Sequence, residues 1–296
     1  MLALSAGRTR LDPAIVPHAP HEVVVAALDK DRVEAAARSV GVSLPETVDL
    51  SEISDENERF IVKASVHAHP DRAGAPPRVD TNMVIGAPAA RRRVEELEEL
   101  GADARVQRFY DGVLLAYSAV ADRSGRVIAD SMQVASRIWP SGAGASCRAE
   151  TIAVDPRVSE PAEDLLKELG WFGLAELQFI KPAEGPPRLI DLNGRFYGSL
   201  GLAVAAGANL PAAWAALATG RPFPRARARP GVSYQWLEGD LKRACIERRG
   251  GLVRDLVSSL GAVRGRTHSL ASLSDPGPLL AEVAQAVRTR YGRRSY

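Results

Sequence analysis

The alternation of apolar and polar residues predicts two β-hairpins in the middle of the chain. The first pairs residues 113–121 with residues 126–134 across the turn Asp122-Arg-Ser-Gly125. The second pairs residues 174–180 with residues 188–192 across a loop rich in proline and glycine. Because two runs of period-two alternation separated by turn residues are typical of a hairpin, we expect an antiparallel sheet here.

Apolar residues at helical spacing predict helices around this sheet. In the first of them, Val33, Ala37 and Val40 fall on one face, and Gly41 follows as a terminating residue. The mixture of hairpins and flanking helices indicates an α+β fold rather than an alternating parallel sheet. The predicted helices cover residues 31–40, 89–100 and 161–169, and further strands are predicted at residues 23–28 and 60–63.

Residues 196–220 contain no charged residue, and such a stretch raises the question of a membrane span. A spanning helix needs about 20 nearly continuous apolar residues. This stretch is interrupted by Gly207, Asn209 and Pro211. We therefore predict two short buried helices that meet at residues 207–211, and no membrane association.

Changes in composition divide the chain into three parts. Residues 1–27 begin with a segment rich in proline, arginine and histidine, and we interpret them as a linker or the remnant of a preceding domain. Residues 28–220 carry the predicted sheet and helices, and residues 221–296 form a C-terminal extension that starts with interleaved arginine and proline. Residues 65–78 contain three prolines and no periodicity, which predicts a long loop that acts as a lid.

Charge balance and cysteine content narrow the class of protein. The 38 basic and 36 acidic residues of the 296-residue chain nearly cancel, whereas a dedicated nucleic-acid-binding protein has a strong basic excess. Two cysteines are too few for a disulfide framework, which favours a reduced, cytoplasmic protein. Only five of the basic residues are lysines. Because arginine provides nearly all the positive charge of this chain, the few lysines are candidates for a specific role.

Polar side chains on the second hairpin form a candidate metal site. Asp191 and Asn193 lie two residues apart and share one face of a strand. Glu176 and Gln178 share a face of the preceding strand and are expected to lie opposite them. Carboxylate and amide oxygens are ligands suited to Mg²⁺, and the guanidinium of Arg195 would suit a phosphate or a carboxylate. The alternative is that these residues form only the polar outer face of an amphipathic sheet.

Two lysines follow apolar stretches and are candidate phosphate ligands. Lys63 ends the predicted strand at 60–63, beside the predicted lid, and Lys30 follows residues 23–28 just before a helix. Two ammonium groups that converge on a triphosphate would explain why lysine persists at these positions. The alternative for each is a solvated lysine at the end of a strand.

Eight short motifs between residues 28 and 220 stand in a recognisable order. They are Leu28-Asp-Lys30, Gly41-Val-Ser-Leu-Pro45-Glu-Thr47, Phe60-Ile-Val-Lys63, Val106-Gln-Arg-Phe-Tyr-Asp-Gly112, Ser136-Arg137 with Gly142-Ala-Gly144-Ala-Ser146, Gly173-Leu-Ala-Glu-Leu-Gln-Phe179, Leu189-Ile-Asp-Leu-Asn-Gly-Arg-Phe-Tyr-Gly-Ser199, and Gly207-Ala-Asn-Leu-Pro211. In order and spacing they resemble the ATP-grasp superfamily, and most of all its carbamoyl-phosphate-synthase-like and carboxylate–amine ligase (carboligase) branch. The resemblance implies an ATP-grasp fold, in which two α+β subdomains clasp ATP, with residues 28–220 as the ATP-grasp domain. It also implies a preceding α/β domain that would be largely missing before Lys30.

The resemblance also implies nucleotide-binding roles for five residues. Lys30 and Lys63 would contact the ATP phosphates. Arg108, Phe109 and Tyr110 would form the hinge that holds the adenine through backbone atoms.

The metal-binding and catalytic roles follow from the same resemblance. Asp191 would bridge the Mg²⁺ ions, or Mn²⁺ in their place, with Asn193 assisting. Gln178 would be the third ligand, and Glu176 is the alternative third ligand. Arg195 would stabilise the transferred phosphoryl group or the acyl phosphate. The motif Ser136 to Ser146 would form a loop on the substrate side.

The implied activity is that of a Mg²⁺- and ATP-dependent ligase, which activates a carboxylate as an acyl phosphate and couples it to an amine or a similar nucleophile. Its substrates would be small molecules, with no nucleic acid or membrane involved. A partner chain or a homodimer would take the place of the missing preceding domain. Two alternatives stay open. One is an ATP-binding module that lacks full activity without a partner chain, and the other is a phosphotransferase on the same scaffold.

Overall fold

The computed structural model describes residues 1–11, 17–65, 81–263 and 265–269, together with residues 275, 277, 278 and 281. All of the predicted lid except Ser65 lies outside these described residues. The helices are α1 (Leu2–Ala6), α2 (His21–Leu28), α3 (Lys30–Ser39), α4 (Gly86–Glu99), α5 (Pro156–Glu168), α6 (Leu200–Ala205), α7 (Leu210–Ala218), α8 (Leu237–Ile246) and α9 (Leu252–Gly261). The strands are β1 (Arg59–Ala64), β2 (Asn82–Ile85), β3 (Ala104–Arg108), β4 (Val113–Ala121), β5 (Val127–Trp139), β6 (Ala145–Ile152), β7 (Gly173–Lys181), β8 (Arg188–Asn193), β9 (Ala226–Arg227), β10 (Ser233–Gln235) and β11 (Thr267–His268).

A small antiparallel sheet has the strand order β2-β1-β3. One of its faces packs against α4, where Phe60, Val62, Leu97 and Val106 are buried in a single apolar cluster. Because side chains alternate between the two faces of a strand, Lys63 emerges on the face opposite to Val62. The small sheet thus has one apolar face and one face available for charged groups, and the strand predicted at 60–63 is confirmed.

A larger sheet has the strand order β11-β10-β6-β5-β4-β7-β8, and β9 pairs beside β5. Both predicted hairpins are confirmed, since β4 pairs with β5 and β7 pairs with β8 in antiparallel fashion. Strand β4 also pairs along its whole length with β7, so the two hairpins form one continuous sheet. The α+β fold class is confirmed as well.

The two faces of the large sheet are covered by different helices. On one face, Tyr117, Leu177 and Phe179 are buried together with apolar residues of α2, α3 and α5. On the other face, Val120 and Leu174 pack with apolar residues of α6 and α7. Since side chains alternate along a strand, the even-numbered polar residues of β7 lie on this second face.

Most predicted helices are confirmed, although their ends differ from the prediction. Helices α3 and α4 correspond to the predictions at 31–40 and 89–100. Helix α5 begins earlier than the predicted 161–169, because the Asp155 side chain accepts a hydrogen bond from the Arg157 N–H at 3.0 Å and caps the helix. The charge-free stretch forms α6 and α7, as predicted. Within the described residues, no helix combines the length and the apolar character needed to cross a bilayer.

The prediction of a strand at 23–28 is wrong, because these residues belong to α2. Val24 and Ala27 lie three positions apart and are both buried in the main core, which is the spacing of a buried helix face. The run of valines suggested a strand, but strand preference is weak and depends on the surroundings. Packing against α3 and the large sheet decides the conformation here.

Residues beyond 220 contribute to the same large sheet. Strand β10 pairs with β6, and α8 brings the fully buried Asp240 to the guanidinium groups of Arg137 and Arg148, at 3.0 and 2.6 Å. Gln235 donates to the same carboxylate at 2.7 Å. These contacts tie the C-terminal extension to β5 and β6. The proposed division of the chain at residue 220 stays a prediction.

Gly194 offers a test of this packing, because a Cβ added there would lie 2.1 Å from the buried ring of Trp171. We expect Gly194→Ala to lower the free energy of unfolding by about 1–3 kcal/mol, since an overpacked core must shift to accept the methyl group. Urea unfolding measures the effect. Gly198→Ala is the matched control, because nothing lies within 4 Å of a Cβ at that position. Equal unfolding midpoints for the two variants would contradict this packing.

Candidate active site

Two lysine ammonium groups and one carboxylate meet where the small sheet faces the edge strand β8. Lys30 is the first residue of α3, and its Nζ lies 2.6 Å from Asp191 Oδ1. Lys63 stands near the end of β1, and its Nζ donates to the carbonyl oxygen of Ile190 at 3.4 Å. The structure therefore brings together three of the predicted site residues from three separate elements.

A buried charge network holds α3 against the polar face of the small sheet. Arg105, the cross-strand neighbour of Lys63, forms ion pairs with Asp31 and Glu34 of α3. Gln107 Nε2 donates to Glu34 Oε1 at 3.1 Å. Because Lys30 lies on the same helix, this network fixes the helix that carries one of the two lysines.

Sequence reasoning missed Glu34, Arg105 and Gln107. All three are buried despite their polar side chains. Arg105 and Gln107 flank the apolar Val106 with a period of two, which was a signal that one face of this strand is polar. Nothing in the sequence indicated that the partner on the other side would be Glu34.

Lys63 is only 6% exposed, and burial lowers the pKa of its ammonium group to about 8. The nearby Lys30 ammonium lowers this pKa further, while the carboxylates of Asp191 and Glu34 act in the opposite direction. Burial disfavours the charged form of an amine, and a nearby like charge does the same. Lys63 is therefore a desolvated cation that would gain from contact with an anion.

Oxygen and amide groups of β7 and β8 line the same site. The two pairs of polar residues face each other, as the sequence predicted, and the strand register places Gln178 opposite Asp191 and Glu176 opposite Asn193. Asp191, Asn193 and Gln178 are half-buried. Asn193 Nδ2 donates to Asp191 Oδ2 at 3.2 Å. A carboxylate and two amides thus lie side by side within reach of the Lys30 ammonium.

Glu176 lies deeper in the sheet than its neighbours and is only 3% exposed. Its Oε2 accepts hydrogen bonds from Gln178 Nε2 at 3.0 Å and from Asn193 Nδ2 at 3.3 Å. Burial raises the pKa of its carboxyl group to about 7, and these two hydrogen bonds and the Arg195 guanidinium act in the opposite direction. Glu176 is accordingly a buried acid beneath the two amides.

Arg195 lies at the exposed rim of the site. Its Nη1 donates to the carbonyl oxygen of Phe196 at 3.0 Å. The positive charge of Arg195 also lowers the pKa of the Glu176 carboxyl group. The catalytic role of Arg195 stays a prediction.

The side chains of the predicted hinge residues pair with arginine and acidic side chains. The Arg108 guanidinium forms ion pairs with Glu46, at 2.8 Å, and with Glu58. The rings of Phe109 and Tyr110 lie under the guanidinium groups of Arg59 and Arg188, at 4.4 and 4.2 Å.

The backbone of the same segment is partly engaged within the chain. The Arg108 N–H donates to the Glu46 carbonyl at 2.9 Å, and the Phe109 N–H donates to the Arg59 carbonyl at 3.0 Å. These two N–H groups are therefore already bonded, and a ligand held by the backbone of this hinge would have to use other backbone groups. The role of the hinge in adenine binding stays a prediction.

The oxygen cluster fits Mg²⁺ only when the ion is shared with a ligand. In the described part of the chain, no group of three or more histidine, cysteine, aspartate or glutamate side chains is arranged to hold a metal. One carboxylate, Asp191, with the amides of Gln178 and Asn193, is the kind of incomplete set that binds Mg²⁺ together with substrate phosphates. The donor types are suitable, and phosphate oxygens would have to complete the coordination.

Comparison with known proteins agrees with this geometry. The family model described as "ATP-grasp in the biosynthetic pathway with Ter operon" matches residues 124–240. The biotin carboxylase domain of 2-oxoglutarate carboxylase from Hydrogenobacter thermophilus, a dimer in complex with MgADP, ADP and bicarbonate, superimposes with a TM-score of 0.57 at 15% sequence identity. The chain therefore has the ATP-grasp fold. The alignment covers 73% of this chain and 51% of the Hydrogenobacter chain.

Two further solved structures share the ATP-grasp fold. Biotin carboxylase from Campylobacter jejuni in complex with β-γ-ATP gives a TM-score of 0.55 at 14% identity, over 70% of this chain and 49% of that one. Pyruvate carboxylase from Rhizobium etli gives 0.56 at 12% identity, over 74% and 19%. Comparison with curated proteins found no match. This chain spans about half the length, or less, of the solved structures that it matches.

The low pKa of Lys63 is directly measurable. After reductive ¹³C-methylation of the five lysines, we expect one methyl resonance to titrate near pH 8. Because this folded-state pKa lies below that of the unfolded chain, the same group raises the free energy of unfolding as pH increases from about 8 towards 10.5. The resonance should be absent in Lys63→Arg. A Lys63 resonance with an ordinary midpoint near 10.4 would contradict the burial of this ammonium group.

Proposed function

We propose that this ATP-grasp protein is a Mg²⁺- and ATP-dependent ligase that activates a carboxylate as an acyl phosphate and couples it to an amine. The observation that carries the proposal is the convergence of the Lys30 and Lys63 ammonium groups on the strand that bears Asp191. Cations for a triphosphate and oxygens for its metal ion thus occupy one site. The finer parts of the proposal, namely the acyl phosphate and the amine, rest on the motif resemblance.

The Lys30–Asp191 ion pair suggests how the nucleotide binds. Without ligand, the Lys30 ammonium neutralises Asp191 at 2.6 Å. A triphosphate that arrives with a divalent cation supplies an anion for Lys30 and a cation for Asp191 at the same time. Binding is then an exchange of partners, in which neither buried charge is left without a counter-ion.

The residues around the phosphates would act by neutralising charge. A bound Mg²⁺, held by Asp191, Asn193 and Gln178, would supply Lewis-acid stabilisation of the phosphate oxygens. Lys30 and Lys63 would hold phosphate oxygens in place, and the lowered pKa of Lys63 reflects a cation that is poorly solvated before the anion arrives. Arg195 at the rim would stabilise the charge of the transferred group.

The proposed reaction has two steps. A carboxylate oxygen attacks the γ-phosphorus, the bond to the β–γ bridging oxygen breaks, and ADP leaves. An amine then attacks the acyl carbon and loses a proton, and phosphate leaves with one oxygen from the carboxylate. Bicarbonate in the Hydrogenobacter domain is also an oxyanion, which supports activation of an oxyanion on this scaffold.

The fate of a labelled oxygen tests this reaction. With an ¹⁸O-carboxylate, ATP and an amine, we expect one ¹⁸O atom in each inorganic phosphate, measured by ³¹P NMR. Asp191→Ala should lower ADP formation at least about a hundredfold, because the carboxylate that holds the metal ion is lost. Asp164→Asn is the control, since Asp164 is exposed on α5, which covers the opposite face of the large sheet. A stable phosphorylated product formed without an amine would instead indicate a phosphotransferase.

A second candidate function is an ATP-binding module that needs a partner chain. It is favoured by the fact that the chain spans about half the length of the solved structures that it matches. This alternative predicts that MgADP raises the unfolding temperature, with about 2.7 kcal/mol of stabilisation at a hundredfold excess over Kd. No turnover with any acid and amine would then occur until the partner chain is added. Turnover by the isolated chain would rule this alternative out.

A further inference from the structure

The two amides of the oxygen cluster are oriented by a single buried oxygen atom. Glu176 Oε2 accepts from Gln178 Nε2 at 3.0 Å and from Asn193 Nδ2 at 3.3 Å. In a primary amide the nitrogen and the oxygen lie on opposite sides of the terminal carbon. Fixing both nitrogen atoms on Glu176 therefore turns both carbonyl oxygens away from it.

The reverse orientation of either amide is unfavourable. While Glu176 is ionised, a flipped Gln178 or Asn193 would turn its carbonyl oxygen toward the carboxylate, and two acceptors would meet without a proton between them. For Asn193 the constraint is double, because Nδ2 also donates to Asp191 Oδ2 at 3.2 Å. The two hydrogens of the Asn193 amide thus serve two carboxylates, and only its oxygen remains for a further ligand.

We propose that Glu176 is a positioning residue, which presents the carbonyl oxygens of Gln178 and Asn193 to the metal ion of the nucleotide and does not bind the metal itself. The proposal rests on the proposed function, because it concerns the same nucleotide site. It also chooses between the two residues that the sequence left open, since it makes Gln178 the third ligand and Glu176 the support.

The location of Glu176 agrees with a supporting role. It is almost fully buried, whereas Gln178, Asp191 and Asn193 are half-buried at the surface of the site. On the neighbouring strand it faces Ser118, and the Lys30 ammonium contacts Asp191 rather than Glu176. Partners of this kind behind metal ligands set the orientation of those ligands, and their loss typically weakens metal binding about 10–100-fold.

Metal binding without turnover tests the proposal. The probe is Mn²⁺ with ADP, and electron paramagnetic resonance of free Mn²⁺ gives its Kd. We expect Glu176→Leu to raise this Kd about 10–100-fold, because the amides lose the acceptor that orients them. Glu176→Gln keeps one acceptor oxygen and should stay within a few-fold of the wild-type Kd. Binding of ADP alone in EDTA should be unchanged in both variants, since the lysines are intact.

Gln133→Leu is the matched control. Gln133 is another buried glutamine of the large sheet, two strands from Gln178 in the same cross-strand row, and its Nε2 donates to Ser199 Oγ at 2.9 Å rather than to Glu176. This variant reports the cost of placing a leucine at a buried polar position of the sheet. We expect it to leave the Mn²⁺ affinity unchanged.

A double-mutant comparison separates positioning from direct ligation. If Glu176 acts through the amides, Glu176→Leu weakens Mn²⁺ binding less in a Gln178→Leu background than in the wild type, because one of its targets is already gone. If Glu176 is itself a ligand, the factor is the same in both backgrounds. An equal factor in both backgrounds, or a tenfold rise of the Mn²⁺ Kd in Glu176→Gln, overturns the positioning role. The Glu176→Gln measurement remains informative even if Glu176→Leu does not fold.

The outcomes also separate this proposal from the proposed function. Wild-type protein that binds ADP but no Mn²⁺ would overturn both the metal site and the role of Glu176. A second outcome is that the wild-type protein binds Mn²⁺ with ADP, and Glu176→Leu weakens this binding by the same factor with and without Gln178→Leu. That outcome would overturn the role of Glu176 alone. A smaller effect in the Gln178→Leu background, with Glu176→Gln close to wild type, would support both.

Discussion

The contact between Lys30 and Asp191 joins residues that are 161 positions apart in the chain, and the site depends on it. Its geometry is set by α3, whose first residue reaches β8 while Asp31 and Glu34 pair with Arg105 of the small sheet. Buried ion pairs stabilise a fold only weakly, since the cost of removing charges from water is large. Their presence here is easier to understand as a way of holding cations and carboxylates at fixed places between the two sheets.

The charges of this junction are nearly balanced before any ligand binds. Lys30, Lys63 and Arg105 provide the cations, and their counter-ions come from α3 and from β8. A polyphosphate that entered alone would draw Lys30 from Asp191 and leave the carboxylate without its cationic partner. A polyphosphate accompanied by a divalent cation avoids that cost. In the proposed metal site, the two amides and the carboxylate would suffice as protein ligands for the same reason, because the phosphate oxygens would bring the remaining negative charge.

The period-two pattern made both hairpins of the large sheet predictable. Glu176 and Gln178 were predicted to face Asp191 and Asn193 because side-chain alternation places each pair on one face, whereas the exact register, with Gln178 opposite Asp191, came from the structure. The position of Lys63 followed from the end of an apolar strand in the same way. The pairing of Lys30 with Asp191 was expected only through the motif resemblance, since no local pattern links a helix start to a strand so far away. The strand at 23–28 failed because packing in the core overrode a local preference.

The motif on the substrate side shows why side-chain partners cannot be inferred from a loop sequence. The resemblance implied only a loop on the substrate side, yet the Arg137 guanidinium donates to Asp240 and to Ser258, at 3.0 and 3.1 Å. The Ser141 N–H and hydroxyl both donate to Glu247, at 2.9 and 2.5 Å. These acceptors belong to α8, α9 and the turn between them, so the C-terminal extension holds this segment in place. The matched family segment ends at Asp240, the residue that binds both Arg137 and Arg148. Through these ion pairs, α8 packs against the large sheet as part of the same unit.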